Sequence, residues 1–262
     1  MGEALIRGLV VGAGVDPDRV GASDPRSDRL AELSNRYAIH VTTDNRELVG
    51  HSQVLVLAVK PQILGQVLGE IGAHVPESTL VISICAGVAT ATIEAAMAHP
   101  VRVIRTMPNT PALVQAGATA IARGARATAA DESVARFLFE AVGLTVSLDE
   151  SLLDAVTGLS GSGPGYMFLI LEALIAGGVD VGLSPNDARK LAAQTMLGTA
   201  RLLLETDGDP RALRDMVTSP GGTTLAGVRA LEDGEVSATI RNAVKAATAR
   251  SRELGALAAK TS

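Results

Sequence analysis

Aromatic residues are almost missing from this chain: three Phe, two Tyr and no Trp among 262 residues, 2% of the total. A core packed around large rings is therefore excluded. With 47% hydrophobic residues, the interior must be built from Ala, Val, Leu and Ile, which suits a parallel sheet packed by Ala-rich helices. A single cysteine, Cys85, excludes an internal disulfide framework and fits a reducing compartment. The four histidines, His40, His51, His74 and His99, show no metal-ligand spacing, and no Ser-His-Asp arrangement is suggested. Positive charge is also in deficit. The net charge of −5, without a Lys/Arg cluster, argues against a nucleic-acid or anionic-membrane partner. No basic start leads into an apolar run with a cleavage site, so no secretory signal is visible. The longest apolar stretch, Tyr166 to Val179, is interrupted by Glu172 and is too short to span a bilayer; it is expected to be a buried helix. The expectation is a soluble, cytoplasmic protein.

What is present has two textures. Met1 to Val11 has the pattern of a helix that ends near Gly12-Ala-Gly14. A short strand at Arg19 to Ser23 follows, then Asp24-Pro-Arg-Ser and a helix through Tyr37. Buried strands are expected at Val54 to Val59, Leu80 to Cys85 and Arg102 to Thr106, with helices carrying Ile63, Val67 and Ile71 and spanning Thr90 to Met97. Strands near Thr119 to Ala122 and Thr145 to Leu148 flank a helix from Asp131 to Val142. Apolar strands alternating with helices predict an α/β, Rossmann-like parallel sheet with helices on both faces. From Leu152 onward only helical periodicity remains, and Ser184-Pro185 is a strong helix start. The domains are accordingly placed at 1–149 and 150–262, the second all-helical.

The most informative stretch is Asp215 to Glu232. Pro220 and Gly221-Gly222 must stop one helix, and Leu225, Val228 and Leu231 fall on one face of the next. Thr223 and Thr224 then sit at a helix start, whose free N–H groups and dipole would hold a small carboxylate without a basic residue. A well-capped turn is the plainer alternative. In open parallel sheets ligands bind beyond the carboxyl ends of strands. Here those ends read Ser23-Asp-Pro-Arg26, Ala58-Val-Lys-Pro61, Cys85-Ala-Gly87 and Met107-Pro-Asn-Thr-Pro111. Lys60 directly after apolar residues is either a ligand-facing cation or a solvated loop lysine. Gly2 fits the last glycine of a Gly-x-Gly-x-x-Gly fingerprint. Leu159-Ser-Gly-Ser-Gly-Pro-Gly-Tyr166 lacks the Lys-Ser/Thr of a P-loop and reads instead as a place where two helices approach closely and kink, with Ser160 and Ser162 satisfying freed backbone groups. Cys85 reads as a buried strand residue, not a nucleophile.

Four segments together, Ala58-Val-Lys-Pro61, Met107-Pro-Asn-Thr-Pro-Ala112, Gly158-Leu-Ser-Gly-Ser-Gly-Pro164 and Asp215-x-Val-x-Ser-Pro-Gly-Gly-Thr-Thr224, resemble the pyrroline-5-carboxylate reductase family in order and spacing, from Met1 to about Leu257. The resemblance implies a Rossmann-type NAD(P)-binding domain, an all-helical domain that builds an interlocked homodimer or higher homo-oligomer, and reduction of the C=N bond of 1-pyrroline-5-carboxylate to L-proline. Carried over, Ala58, Val59, Lys60 and Pro61 would run past the nicotinamide and its ribose, Asn45 and Ala86 would touch the cofactor, and Ser23 with Arg26 would lie near the adenosine ribose. Thr224 would hydrogen-bond the ring nitrogen, and Ser219, Gly222, Thr223 and Thr224 would take the substrate. Glu150 matches a further position near substrate.

The family has a strand and Gly-x-Gly before the position matching Met1. The expectation is that about ten residues, carrying the central strand and most of the pyrophosphate loop, precede an internal Met1, and that the 262-residue chain binds cofactor poorly. Met216 stands where many relatives carry a polar residue, so one hydrogen bond to the cofactor is expected to be absent. Asp24 would favour NADH through a ribose 2′-hydroxyl, whereas Arg26 and Arg29 would hold the 2′-phosphate of NADPH, the preferred cofactor. Two rivals stay open. One is a reductase of another imine or a 2-keto/hydroxy acid, for which Lys190 and Lys245 are the internal acid/base candidates. The other is a cofactor-free dimer with a structural or regulatory role.

Overall fold

The computed structural model describes residues 1–261, with side chains up to 257. The chain opens with α1 (Gly2–Arg7), continued by a wider π-type turn (Gly8–Gly12) and closed by Gly14 at φ +68°. Then come β1 (Gly21–Ser23), α2 (Ser27–Tyr37), β2 (His40–Thr42), α3 (Asn45–Gly50), β3 (Val54–Leu57), α4 (Pro61–Ile71), β4 (Leu80–Ser83) and α5 (Thr90–Ala95). β5 (Arg102–Met107), β6 (Gly117–Arg123), α6 (Ala129–Glu140) and β7 (Gly143–Ser147) complete the α/β part. Two elements here, β2 and α3, escaped the sequence pattern. β2 has no apolar run, and α3 is a short helix whose N-cap, Asp44, accepts from Arg46 N at 2.9 Å.

The strands form a two-stranded parallel sheet, β1-β2, and a five-stranded sheet in the order β3-β4-β5-β6-β7. β3, β4 and β5 are parallel, but β6 runs antiparallel to β5, and β7 then pairs parallel to β6. The expectation of a wholly parallel sheet is corrected to a mixed one. The reason lies in the link 108–116, a 3-10 turn at Thr110–Val114. A parallel crossover needs about a dozen residues or more, and this link is too short to return to the other end.

Alternation along the strands sends side chains to two cores. Val81 and Val103 pack with Leu64, Leu68, Ile71 and Ile93 on one face. Leu80, Ile82 and Ile104 pack with Ala135 and Phe139 on the other. In α4 the buried stripe is Leu64, Leu68 and Ile71, so Ile63, expected on that face, points outward. α1 serves two cores. Its Ala4 and Leu5 enter the Ile82–Phe139 core, while Ile6 and Val10 pack against Leu33, Tyr37 and Ile39. Glu3 fixes the same helix to α2: Arg29 pairs with it, Arg36 Nη1 lies 2.9 Å from Oε1, and the Tyr37 hydroxyl donates at 3.1 Å.

After β7 come a 3-10 turn (Glu150–Leu152), α7 (Leu153–Val156), a π-type turn (Thr157–Gly161), α8 (Gly163–Asp180), α9 (Pro185–Thr206), α10 (Pro210–Met216), α11 (Thr223–Asp233) and α12 (Val236–Thr261). By packing, the chain divides into Met1–Ser162 with Val244–Ser262, and Gly163–Ala243. The strands thus end near 150, as the change in texture suggested, while the compact units part at Gly163 and α12 belongs to the first unit only from Val244 onward. The glycine-rich segment explains part of this. A Cβ on Gly158 would collide with Thr248 Oγ1 and come within 2.7 Å of Val244 O, so helix contact there requires glycine. In place of the expected kink there is a π-type turn, closed by the backbone bond from Ser162 N to Thr157 O at 2.8 Å, and of the two serines Ser160 bonds the backbone through its side chain, Oγ to Val156 O at 3.3 Å.

The second unit departs from expectation. α8 has no buried residue, and Phe168 and Leu169 are 63% and 67% exposed. The expected buried helix is, within one chain, an apolar surface. By length and composition the run Glu150–Asp180 would also suffice to cross a membrane, yet Leu153 and Gly158 in it are buried in the first unit.

Arg29, above all, holds the Glu3 carboxyl below the usual range, against partial burial that raises it, with Arg36 and Tyr37 adding to the lowering. A lowered folded value means that Glu3 stabilises the fold above its unfolded value, about 4.3, and that this is lost as pH falls through the folded one. Glu3→Gln is therefore expected to lower Tm by a constant amount from neutral pH down to about 5, with the gap closing below about pH 4. A gap unchanged at pH 3 by calorimetry, a point on the order of one unit below that limit, would contradict this.

Candidate cofactor and substrate sites

The turns after β1, β3 and β4 carry most of the residues singled out in the sequence. Gly2 opens α1, and a Cβ there would stand 3.6 Å from Ala58 Cβ, so the helix start abuts the turn after β3. Ala58 and Val59 lead to Lys60, the exposed, extended N-cap of α4, with Pro61 at the first helical position where its missing N–H costs nothing. The turn after β4 lies beside this one, because Cys85 Sγ contacts Val59 O at 3.3 Å. Cys85 is buried, as expected, but it lies past the end of β4 and not in the strand, and burial, chiefly, pushes its thiol up, which suits a packing group. Ala86 is exposed next to Gly87, whose φ is +75°.

Ser23 ends β1 and donates to Asn45 Oδ1 at 2.5 Å; Asn45, the first residue of α3, donates from Nδ2 to Glu70 Oε2 at 3.1 Å. Arg26 precedes α2, and its N–H and Nε both reach Asp24 Oδ1, at 2.9 and 3.3 Å. Of the two guanidiniums weighed for a 2′-phosphate, Arg29 is committed to Glu3 and to Glu32, the latter at 2.6 Å. Arg26 remains largely exposed.

Glu150 is held within the first unit. Thr90 N and Thr90 Oγ1 donate to its two oxygens at 2.8 and 2.7 Å, and Arg105 Nη1 lies 3.2 Å from Oε1. Arg105 is 10% exposed in its side chain, in the middle of an apolar strand. Thr90, Arg105 and Glu70 were missed in the sequence. A cation between Ile104 and Thr106 was the available signal for a buried partner; Glu70, on a helix surface, gave none.

In the second unit the turn before α11 has the geometry its composition suggested. Gly221 takes φ +73°, and Gly222 N donates back to Ser219 O at 3.0 Å. A Cβ on Gly222 would collide with Ser219 Oγ. Gly222 is the N-cap of α11 and carries no side-chain cap, so the first N–H groups of Thr223 and Thr224 find no acceptor within the helix. Ser219, Thr223 and Thr224 are exposed, and Met216 ends α10, also exposed.

Hydroxyl, amide and guanidinium groups at the end of β1, with small residues at the ends of β3 and β4, suit the ribose and flat ring of a nicotinamide dinucleotide. The fold and this donor set define the class, a nicotinamide-dependent oxidoreductase with a helical second part, and residues 1–87 match the family described as NADP oxidoreductase, coenzyme F420-dependent. Residues 150–254 match pyrroline-5-carboxylate reductase dimerisation. The chain is 46% identical to pyrroline-5-carboxylate reductase of Methanosarcina acetivorans, covering 97% of this chain and 94% of that one. Among solved structures, the reductase of Coxiella burnetii superposes with a TM-score of 0.91 at 37% identity, covering 97% and 94% of the two chains. That of Plasmodium falciparum with NADP bound gives 0.86 at 31% identity, again covering 97% and 94%. The chain belongs to the pyrroline-5-carboxylate reductase family.

Glu150→Ala would leave Arg105 unpaired and α5 without its N-terminal acceptor, and is expected to cost about 2–3 kcal/mol of stability in urea unfolding. A raised substrate KM at unchanged stability would instead assign Glu150 a direct contact with substrate.

Proposed function

We infer that this chain reduces the C=N bond of 1-pyrroline-5-carboxylate to L-proline with a hydride from NAD(P)H, the last step of proline biosynthesis. The observation that carries the assignment to this chain's own residues is the uncapped start of α11 at Gly222-Thr223-Thr224. The substrate is a small anion with one reacting carbon. It needs a carboxylate anchor and a donor at nitrogen, and this helix start offers both without a basic side chain. The free backbone N–H groups of Thr223 and Thr224 take the carboxylate, whereas that of Gly222, expected to join them, is spent on Ser219 O within the turn. The Thr224 hydroxyl meets the ring nitrogen: it accepts from the N–H when the substrate binds as the iminium, or donates to the lone pair of the neutral imine and passes it a proton that water replaces, so no strong acid or base is needed.

Bound NADPH, with NADH as the alternative, supplies the hydride. Ser23, Arg26 and Asn45 hold the adenosine ribose; Ala58, Val59, Lys60, Pro61 and Ala86 flank the nicotinamide end, and Gly2 leaves room at the start of α1. Glu150 acts by holding the turn before α5 through Thr90. Functionally, residues 1–149 form the cofactor domain and 150–262 the substrate and dimerisation domain. The exposed apolar residues of α8 support a homodimer, since a single chain leaves them without cover. The buried free thiol supports a reducing, cytoplasmic setting.

Thr224→Val is expected to lower kcat/KM for pyrroline-5-carboxylate by roughly 10–100-fold, the value of one hydrogen bond to a charged group, with the KM for NADPH unchanged. If the unaltered chain does not oxidise NADPH when given this substrate, the proposed function fails. Replacing Phe168 and Leu169 together by Glu is expected to yield monomers in sedimentation experiments and to abolish turnover; intact dimers would remove α8 from the interface.

A further inference from the structure

Glu70 belongs to no part of the site described above, yet it decides the polarity of a hydrogen-bond chain that ends there. An ionised carboxylate only accepts hydrogen bonds. Asn45 must therefore turn its amide Nδ2 toward Glu70 Oε2, at 3.1 Å, which leaves Oδ1 facing Ser23. An amide oxygen also only accepts, so the Ser23 hydroxyl gives its single proton to Asn45, at 2.5 Å. What Ser23 then offers beyond the strand is lone pairs.

Position gives that polarity a consequence. Ser23 is the last residue of β1, the strand that follows α1. In doubly wound folds the substituent at the adenosine ribose 2′ position is read at the end of that strand. A 2′-hydroxyl can donate to Ser23. An ionised 2′-phosphate has no proton to give, and it meets lone pairs backed by the negative charge of Glu70. Arg26, held by Asp24, is the cation beside Ser23 that favours the phosphate.

We propose that Glu70 is a specificity-determining positioning residue: acting through Asn45, it sets Ser23 as an acceptor and so restrains the preference for a 2′-phosphate. The proposal rests on the nicotinamide-dinucleotide assignment made above. In Glu70→Gln the new amide can donate to Asn45 as well as accept from it. The Asn45 amide is then free to turn, and the Ser23 proton is released outward.

The test is calorimetric binding of 5′-AMP and 2′,5′-ADP to the full chain, to Glu70→Gln, to Ser23→Ala and to the double variant, each checked for an unchanged Tm. Glu70→Gln is expected to raise the affinity ratio of 2′,5′-ADP over 5′-AMP about tenfold, one redirected hydrogen bond. In the Ser23→Ala background the same substitution should leave the ratio within about twofold. A ratio unmoved by Glu70→Gln overturns the proposal. So does an equal rise without Ser23, which would make Glu70 a simple point charge. If neither nucleotide binds the unaltered chain, the adenosine site at β1 fails and the relay falls with it; NADPH-dependent turnover in the same preparation would then leave the reductase function standing.

Discussion

The two sheets of the α/β unit are joined through short helices, α1 foremost, with α3 adding Val49 to the core of the larger sheet. They are separate ladders, so no strand pairing joins β1-β2 to β3. α1 joins them by apolar contact instead, Ala4 and Leu5 facing one core, Ile6 and Val10 the other. The contact is close because Gly8 has no side chain: a Cβ there would reach 2.5 Å from Val142 Cγ1 and 2.8 Å from Ala141 O. A larger residue would drive α1 off the sheet, with the losses of an overpacked core. Glu3 then adds direction to the packing, drawing Arg29, Arg36 and Tyr37 of α2 to a single carboxylate. Because α2 starts directly after Ser23-Asp24-Pro25-Arg26, the hold on α2 also places the end of β1.

The scarcity of aromatics has different consequences in the two units. In the first, Val, Ile, Leu and Ala fill both faces of a sheet whose central strands are covered, with Phe139 and Tyr37 the large rings buried among them. In the second, Ala- and Leu-rich helices meet side by side without enclosing a core, and Ala188 is the buried residue of α9. A helix with apolar residues all round needs cover from several sides. One chain does not supply it for α8, which lies within the region matched by pyrroline-5-carboxylate reductase dimerisation, and the proposed homodimer would supply it.

Charge is used sparingly and locally. The anchor proposed for an anionic substrate is a helix start with glycine as its N-cap, which needs no basic side chain. Where a charge is buried it is committed: Arg105 to Glu150, and Asp131 to Arg102 at 2.7 Å. The second pair also closes the capping box at the start of α6, where Thr128 and Asp131 exchange bonds.

Strands built on apolar runs, β3, β4 and the Val103-Ile104 centre of β5, were legible because covered strands need them, and the Pro-Gly-Gly turn before α11 was legible because proline and glycine stop a helix there. β2 and α3 were not, being too short and too polar to show a period. Nor was the reversal at β6, since strand direction is a matter of link length and not of strand composition. Pro61, Thr223 and Thr224 lay in local motifs, so their places at helix starts followed from the sequence by itself, whereas Asn45 and Glu150 were marked only by the family resemblance. Only the tertiary structure decided their partners: Glu70 behind Asn45, Thr90 and Arg105 around Glu150, Glu3 beneath α2, and the open face of α8. Those pairings join positions tens of residues apart, and no local period or turn preference encodes a contact that exists only once separate elements pack.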